Sequence, residues 1–261
     1  TLVNRVLQHA AQRPHALAIA TPHRAWTWGE LADEVDRVAL APPLNALPRG
    51  AAFGWLGVNT VAMLVMLLAC SRLGLRFVPL NWRLAAPELQ AVALHAGLAA
   101  WHADAGFTAL DGWAAANSAS TDASGDQHHD DLMLAYTSGS TGEAKGALHT
   151  QAAMLANIDA AIDALVLDMH SRSLAVLPMF HVGGLCVHLL PVLAAGGVVN
   201  LHERFDPGAW LDDVAAWRPN TAVLVPAMMR AGVEHPRWAT ADLSSLQAIA
   251  AGSSLAPLQL I

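Results

Sequence analysis

Charge is what this sequence has least of. Asp, Glu, Lys and Arg make up 13% of its 261 residues, while hydrophobic residues make up 54%. The usual charged share is about 25%. So apolar a chain buries a core, which excludes disorder for its bulk. Fourteen Lys and Arg against twenty-one Asp and Glu give a net charge of −7. With no run of basic residues, a nucleic-acid partner is excluded. Cysteine is scarce too. Cys70 and Cys186 each sit in an apolar segment, which excludes a disulfide scaffold and points to a reducing, cytoplasmic setting. The opening fifteen residues lack the apolar core and cleavage site of a signal peptide. The chain starts at Thr1 rather than Met, so a start further upstream is expected.

An uninterrupted spanning segment is also missing. Residues 174–201 contain no Asp, Glu, Lys or Arg, and that is longer than the ~20 apolar residues that cross a bilayer. Pro178, Gly183, Gly184, Pro191, Gly196 and Gly197 punctuate the stretch, with His181 and His188 between them. Proline and glycine at that density break a helix into strand, loop, helix and strand. A buried core is expected here, with an integral membrane protein as the alternative.

What is present alternates. Helical periodicity over 2–10 stops before Pro14, and 17–20 is a short apolar strand. A second amphipathic helix carries Leu31, Val35 and Val38. Residues 51–57 read as a buried strand. Asn59 and Thr60 cap a buried helix over 61–69, and 77–80 ends a strand. Pro87 opens a helix that Gly97 closes, and 98–102 follows as strand. Small polar residues dominate 111–131, which reads as an exposed connection. Strands are then expected at 132–137, 174–177, 198–201, 222–225 and 247–250, with helices at 151–165 and 207–217. This alternation predicts an α/β fold of mostly parallel sheets covered by helices on both faces.

The segment 132–150, LMLAYTSGSTGEAKGALHT, carries the chemistry. An apolar strand runs into Thr137-Ser138-Gly139-Ser140-Thr141-Gly142, and Lys145-Gly146 closes the segment. Glycines let backbone approach a ligand, and successive exposed N–H groups form an anion nest. Four hydroxyls and one ammonium complete a set suited to polyphosphate. A plain polar loop between strands is the alternative. The segment is not a Walker A loop, because Ala144 and Gly146 stand where Gly and Ser/Thr are required. No dinucleotide glycine fingerprint follows a strand either.

The segment resembles the phosphate-loop signature of the adenylate-forming enzymes (acyl-CoA synthetases, adenylation domains and luciferases), Tyr-Thr-Ser-Gly-Ser/Thr-Thr-Gly-x-Pro-Lys-Gly. Ala144 stands where that family usually has Pro. Further elements follow in the family's order. They are Trp26-Thr27-Trp28-Gly29-Glu30-Leu31, then Asn59 with 69–81, Leu177-Pro178-Met179-Phe180-His181, Val225-Pro226, and 243–255. The family's Thr-His pair is reversed as His149-Thr150, so His149 is given no role.

The resemblance implies that 1–261 is a partial N-terminal AMP-binding domain, the incomplete N-terminal domain of the adenylate-forming fold. Its implied subdomains are 51–150, and 1–50 with 151–261. The implied reaction is ATP-dependent activation of a carboxylic acid to an acyl-adenylate, followed by transfer to CoA. Thr137, Ser138, Gly139, Ser140, Thr141 and Gly142 would hold the β- and γ-phosphates. Lys145 would steady that loop or the leaving pyrophosphate. Thr137 would add a hydroxyl to Mg²⁺. His181 would line the acyl pocket and steady the carboxylate, which favours a CoA ligase over an amino-acid-activating module. Gly252, Ser253 and Ser254 would lie against adenine and the acyl group, although an ordinary strand-to-helix turn is the simpler reading there. The pocket segments carry no Lys or Arg, so the expected acid is monocarboxylic, fatty or aromatic. Cys186 and His188 read as core, and His128-His129-Asp130-Asp131 as solvated linker rather than a metal site. The family's aromatic-Gly-x-Thr-Glu motif, ribose-binding Thr-Gly-Asp motif and C-terminal lysine domain are not in the sequence. The chain therefore looks like the first half of such an enzyme, expected to bind ATP weakly and to be inactive alone. A non-catalytic nucleotide-binding module or truncated product is the competing reading.

Overall fold

The structure is a computed structural model that describes residues 1–111, 130–137 and 145–255. In chain order its elements are α1 (Leu2–Gln12), β1 (Leu17–Ala20), β2 (Ala25–Thr27), α2 (Trp28–Leu40), β3 (Ala52–Leu56), α3 (Val61–Leu73), β4 (Arg76–Leu80) and α4 (Ala86–Ala96). Next come β5 (Leu98–Ala103), β6 (Asp131–Thr137), β7 (Lys145–Thr150), α5 (Gln151–Leu165), β8 (Arg172–Ala175) and α6 (Val182–Gly184). A π-turn (Leu185–Leu189) leads to α7 (Leu190–Ala194), β9 (Val198–Leu201), α8 (Pro207–Trp217), β10 (Thr221–Leu224), α9 (Pro226–Val233) and β11 (Ala248–Ala251). The expected connection at 111–131 lies largely outside the described residues, as do 138–144.

The chain divides into two units, Thr1–Arg5 with Leu31–Ala156, and Val6–Glu30 with Asn157–Ile261. The first holds a five-stranded sheet in the order β5-β3-β4-β6-β7. Its pairings are parallel except β6 with β7. The second holds a six-stranded sheet in the order β11-β10-β8-β9-β1-β2. There the single antiparallel pairing is β1 with β2. Parallel strands need crossovers, which lay helices on the sheet faces. The expected α/β fold with mostly parallel sheets is therefore what the chain forms.

Local chemistry explains the boundaries. Thr60 caps α3 by accepting the Met63 N–H at 3.1 Å. Apolar on nearly every side, α3 buries Met63, Leu64, Val65, Leu67 and Leu68. Gly97 ends α4 at φ +62, a left-handed position that suits glycine. Helix α4 begins one residue before Pro87, at Ala86. The Thr27-x-x-Glu30 pair inside the early family-like element is a capping box. Glu30 Oε2 accepts the Thr27 N–H at 2.8 Å, and Thr27 Oγ1 accepts the Glu30 N–H at 3.2 Å. In the first unit, buried Gln151 Oε1 accepts from the Leu2 N–H at 2.9 Å and from Ser71 Oγ at 2.8 Å. One side chain thus ties the start of α1 to α3 and the start of α5.

The structure adds one strand to those expected and shifts the bounds of another. Residues 145–150 form β7, which returns antiparallel to β6, so the phosphate-loop segment connects the two arms of a hairpin. Strand β8 covers Arg172–Ala175 rather than 174–177, because its partners β9 and β10 pair only that far. Val176, Met179 and Phe180 remain buried after the chain leaves the sheet, so their apolar character reflects burial rather than pairing. His181, beyond the end of β8, opens a helical segment. The stretch 174–201 is strand, turn, short helices and strand, and no helix among the described residues is long and apolar enough to cross a membrane.

Asp206 caps α8 by accepting the Ala209 N–H at 2.8 Å, with Pro207 at the first helical position. Asp206→Ala is expected to lower stability by about 1 kcal/mol, while Asp206→Ser keeps most of it. Urea midpoints of the three proteins check this.

Candidate active site

The first cluster lies at the mouth of the β6–β7 hairpin. Strand β6 is buried through Leu132, Met133, Leu134 and Ala135 and reaches solvent at Thr137. The register pairs Tyr136 with Gly146 and Thr137 with Lys145. Directly opposed residues share a face, so the Thr137 hydroxyl and the Lys145 ammonium leave the sheet together, and both residues are exposed. Lys145 is the chain's only lysine, beside thirteen arginines. A Cβ on Gly146 would stand 2.8 Å from Leu134 Cδ1 and 3.2 Å from Tyr136 Cζ. Glycine there lets the Tyr136 ring lie across the neighbouring strand. The Tyr136 hydroxyl meets His95 Nδ1 at 2.6 Å, tying this strand end to α4. Burial pushes the phenol up to about 12 against the opposing charge of Arg76, so it stays protonated. Ser138, Gly139, Ser140, Thr141 and Gly142 lie outside the described residues.

The second cluster, in the other unit, follows the C-terminal end of β8. His181 donates its N–H to the Pro178 carbonyl at 3.1 Å, which closes a turn, and accepts from the Gly184 and Leu185 N–H groups at 3.0 and 3.3 Å. Its ring lies 4.4 Å from that of buried Phe180. His181 itself is exposed. Seven residues further on, buried His188 bridges two strands. Its Nδ1 meets Ser173 Oγ at 2.7 Å and its Nε2 meets Thr221 Oγ1 at 2.9 Å. Cys186 is core, as expected, and burial pushes its thiol up to about 12. His188 is core in position, but it is also the centre of a polar network that sequence reading missed. Its partners stand fifteen and thirty-three residues away, and no periodicity signals such a contact.

Gly252, Ser253 and Ser254 follow β11 in the same sheet as β8 and are exposed. Ser253 has φ +75, a left-handed conformation uncommon for serine. Thus His181 and the 252–254 turn both leave carboxyl ends of parallel strands of one sheet, where open α/β folds place ligands. Thr137 and Lys145 belong to the other unit.

Of the acidic and histidine run, His128 and His129 lie outside the described residues. Asp130 caps α5, accepting the Gln151 and Ala152 N–H groups at 2.7 and 3.0 Å. No group of three His, Cys, Asp or Glu side chains suited to a metal occurs among the described residues. His149 is half-buried, and burial lowers its pKa.

Two mostly parallel units with a hydroxyl- and glycine-rich hairpin connection define the N-terminal fold of the adenylate-forming enzymes. The N-terminal domain of FACL13 from Mycobacterium tuberculosis superposes with a TM-score of 0.85 at 22% identity, over 100% of this chain and 71% of that one. The anthranilate CoA ligase AuaEII, solved with anthranoyl-AMP, gives 0.89 at 20% identity, over 99% of this chain and 55% of that one. At these identities the likeness shows the fold. The chain belongs to the AMP-binding enzyme family, whose model matches residues 6–261. It is 38% identical to an indoleacetate–CoA ligase of Aromatoleum aromaticum, over 97% of this chain and 55% of that protein. It is 35% identical to a feruloyl-CoA synthase of an Amycolatopsis species, over 97% of this chain and 54% of that one. The chain thus spans about half the length of the curated relatives it matches.

Burial holds His188 near pKa 4, well below the ordinary 6.5. Its neutral form is favoured in the folded state, so the stabilisation is complete above pH 6.5. It is lost as pH falls toward 4, because the unfolded chain takes up a proton that the folded chain does not. On the order of 3 kcal/mol is expected to disappear over that window. Urea denaturation at several pH values should show a shallower acid slope for His188→Gln than for the wild type. Parallel slopes would contradict it.

Proposed function

We propose that the protein carrying this sequence is an AMP-forming acid–CoA ligase. A carboxylate oxygen attacks the α-phosphorus of ATP and expels pyrophosphate. The CoA thiol then attacks the acyl carbonyl, releasing AMP, and loses its proton. Both partners of the first step are anions, so the protein's task is to neutralise charge and to position groups. The observation that carries the reading is the hairpin mouth. There the only lysine of these 261 residues and a threonine hydroxyl face each other as exposed cross-strand partners, closing a connection rich in Ser, Gly and Thr.

In this reading Thr137, Ser138, Gly139, Ser140, Thr141 and Gly142 hold the β- and γ-phosphates by N–H and hydroxyl donation. Lys145 neutralises charge on the departing pyrophosphate. His181 steadies the carboxylate of the acid, and Gly252, Ser253 and Ser254 lie along adenine and the acyl group. Mg²⁺, when bound, would supply charge neutralisation at the phosphates. The Thr137 hydroxyl would be the protein group that holds it, an oxygen donor suited to a hard cation. The relatives named for indoleacetate and ferulate support an aromatic monocarboxylic acid, with fatty acids next. The residues around His181 and 250–255 offer no Lys or Arg to pair with a second carboxylate. A cytoplasmic location belongs to the same proposal, in keeping with two reduced, buried thiols.

Lys145→Ala and Thr141→Ala should each lower acid-dependent ATP–pyrophosphate exchange by about 10²- to 10³-fold, with a smaller change in KM for the acid. Exchange rates equal to wild type would refute the assignment. Lys145 is the one lysine of these 261 residues, and its modification by an amine reagent can be followed in the peptide that carries it. MgATP should protect it, and labelling indifferent to MgATP would place phosphate elsewhere. In a panel of acids, aryl and fatty monocarboxylates should outrank malonate as substrates for thioester formation, and a preference for malonate would overturn the pocket assignment.

A further inference from the structure

His188 occupies a place that packing alone would fill with leucine. Instead its imidazole sits between two hydroxyls, and all three side chains are buried, with Ser173 0%, His188 4% and Thr221 6% exposed. Ser173 and Thr221 are direct partners across β8 and β10. The ring therefore straddles one rung of the sheet, with both nitrogens engaged. Two hydrogen bonds from opposite edges of a planar ring fix its orientation as well as its depth, and a buried polar network of this kind specifies one seating.

That seating reaches His181 through the backbone. Between the two histidines the chain is helical, first α6 and then the π-turn. Single π-turns interrupt α-helices frequently at functional sites. Two more contacts remove slack. Asn157 Nδ2 donates to the Cys186 carbonyl at 2.6 Å, inside the π-turn. A Cβ on Gly184 would overlap the Pro178 carbonyl oxygen and stand 2.9 Å from that of Leu177, so glycine allows the 178–181 turn to close onto the helix start.

We propose that His188, held by Ser173 and Thr221, is a positioning residue that sets the rotation of the 181–189 helical segment and thereby places His181 for the carboxylic acid. The proposal rests on the acid-contacting role given to His181 above. His188 touches no substrate in this account and acts through the segment it seats.

The test uses the intact enzyme with His188→Leu, His188→Gln, Thr221→Val and His181→Ala. Thr221→Val keeps the volume of the side chain and removes one hydrogen bond, so it remains informative if His188→Leu folds poorly. In pyrophosphate exchange, Thr221→Val and His188→Leu should raise KM for the acid and lower kcat by a combined factor of roughly ten to a hundred, with KM for MgATP unchanged. His188→Gln, which retains one amide donor and one acceptor, should recover part of the loss. Added to His181→Ala, neither change should cost anything further. Additive losses, or equal movement of KM for ATP, would overturn the proposal. The resonance of the His181 ring, read by NMR, supplies a readout independent of turnover. It should move in Thr221→Val, and an unmoved resonance would overturn the proposal whatever the activity. A moved resonance in a protein that turns over no acid would sustain the seating of His181 by His188, while removing both the ligase reading and the acid-placing part of the proposal.

Discussion

Parallel strand pairing is the constraint on which the rest depends. A strand paired in parallel must be re-entered by a crossover, so within each sheet the carboxyl ends open on one edge and their connections gather there. In the six-stranded sheet, the turn that carries His181 follows β8, Pro226 follows β10, and the Gly252–Ser254 turn follows β11. In the five-stranded sheet the rule is broken once, by β7. That antiparallel return is what brings Lys145 back opposite Thr137 rather than a crossover away. The hairpin therefore concentrates on one rung what a parallel arrangement would have dispersed.

Legibility followed the range of the interactions involved. Thr60 before a continuous apolar run, Gly97 after one, and Pro207 at a helix start are local signals, and each marks the boundary it implied. The mostly parallel architecture was likewise legible, because strands buried on both faces are continuously apolar. What the sequence hid was set by partners distant in the chain. Strand β7 gives no strand signal because all six of its residues are exposed or half-exposed and carry no apolar alternation. It is a strand because β6 pairs with it. The apolar run 174–180 overstates β8, since burial beneath neighbouring elements selects the same residues as pairing does. The hydrogen bonds of His188 were out of reach for the same reason. A histidine in an apolar run gives no sign of which hydroxyls will meet it.

At the candidate site, motif order pointed to the family, while the physical logic lies in scarcity. A chain with 13% charged residues has few ways to attract a polyphosphate, and it places its only lysine where a glycine-rich connection rejoins the sheet. Several of the arginines make other contacts. Arg37 pairs with Glu34, Arg218 with Asp242, Arg237 with Asp212, and Arg172 stacks over Trp217. Arginine suits such fork and stacking contacts, whereas a lysine offers a compact point charge on a flexible stem. Under the proposed function, a polyphosphate that must be bound and then released suits the second.

The central claim is that a carboxylate attacks the α-phosphorus of ATP. Isotope transfer tests it most directly. An aromatic acid labelled with ¹⁸O in its carboxylate is incubated with the intact protein, MgATP and CoA, and the nucleotide product is analysed by mass spectrometry. The account predicts AMP that carries one ¹⁸O from the acid, with unlabelled pyrophosphate. Label recovered in inorganic phosphate, with ADP as the nucleotide, would mean attack at the γ-phosphorus and would contradict it.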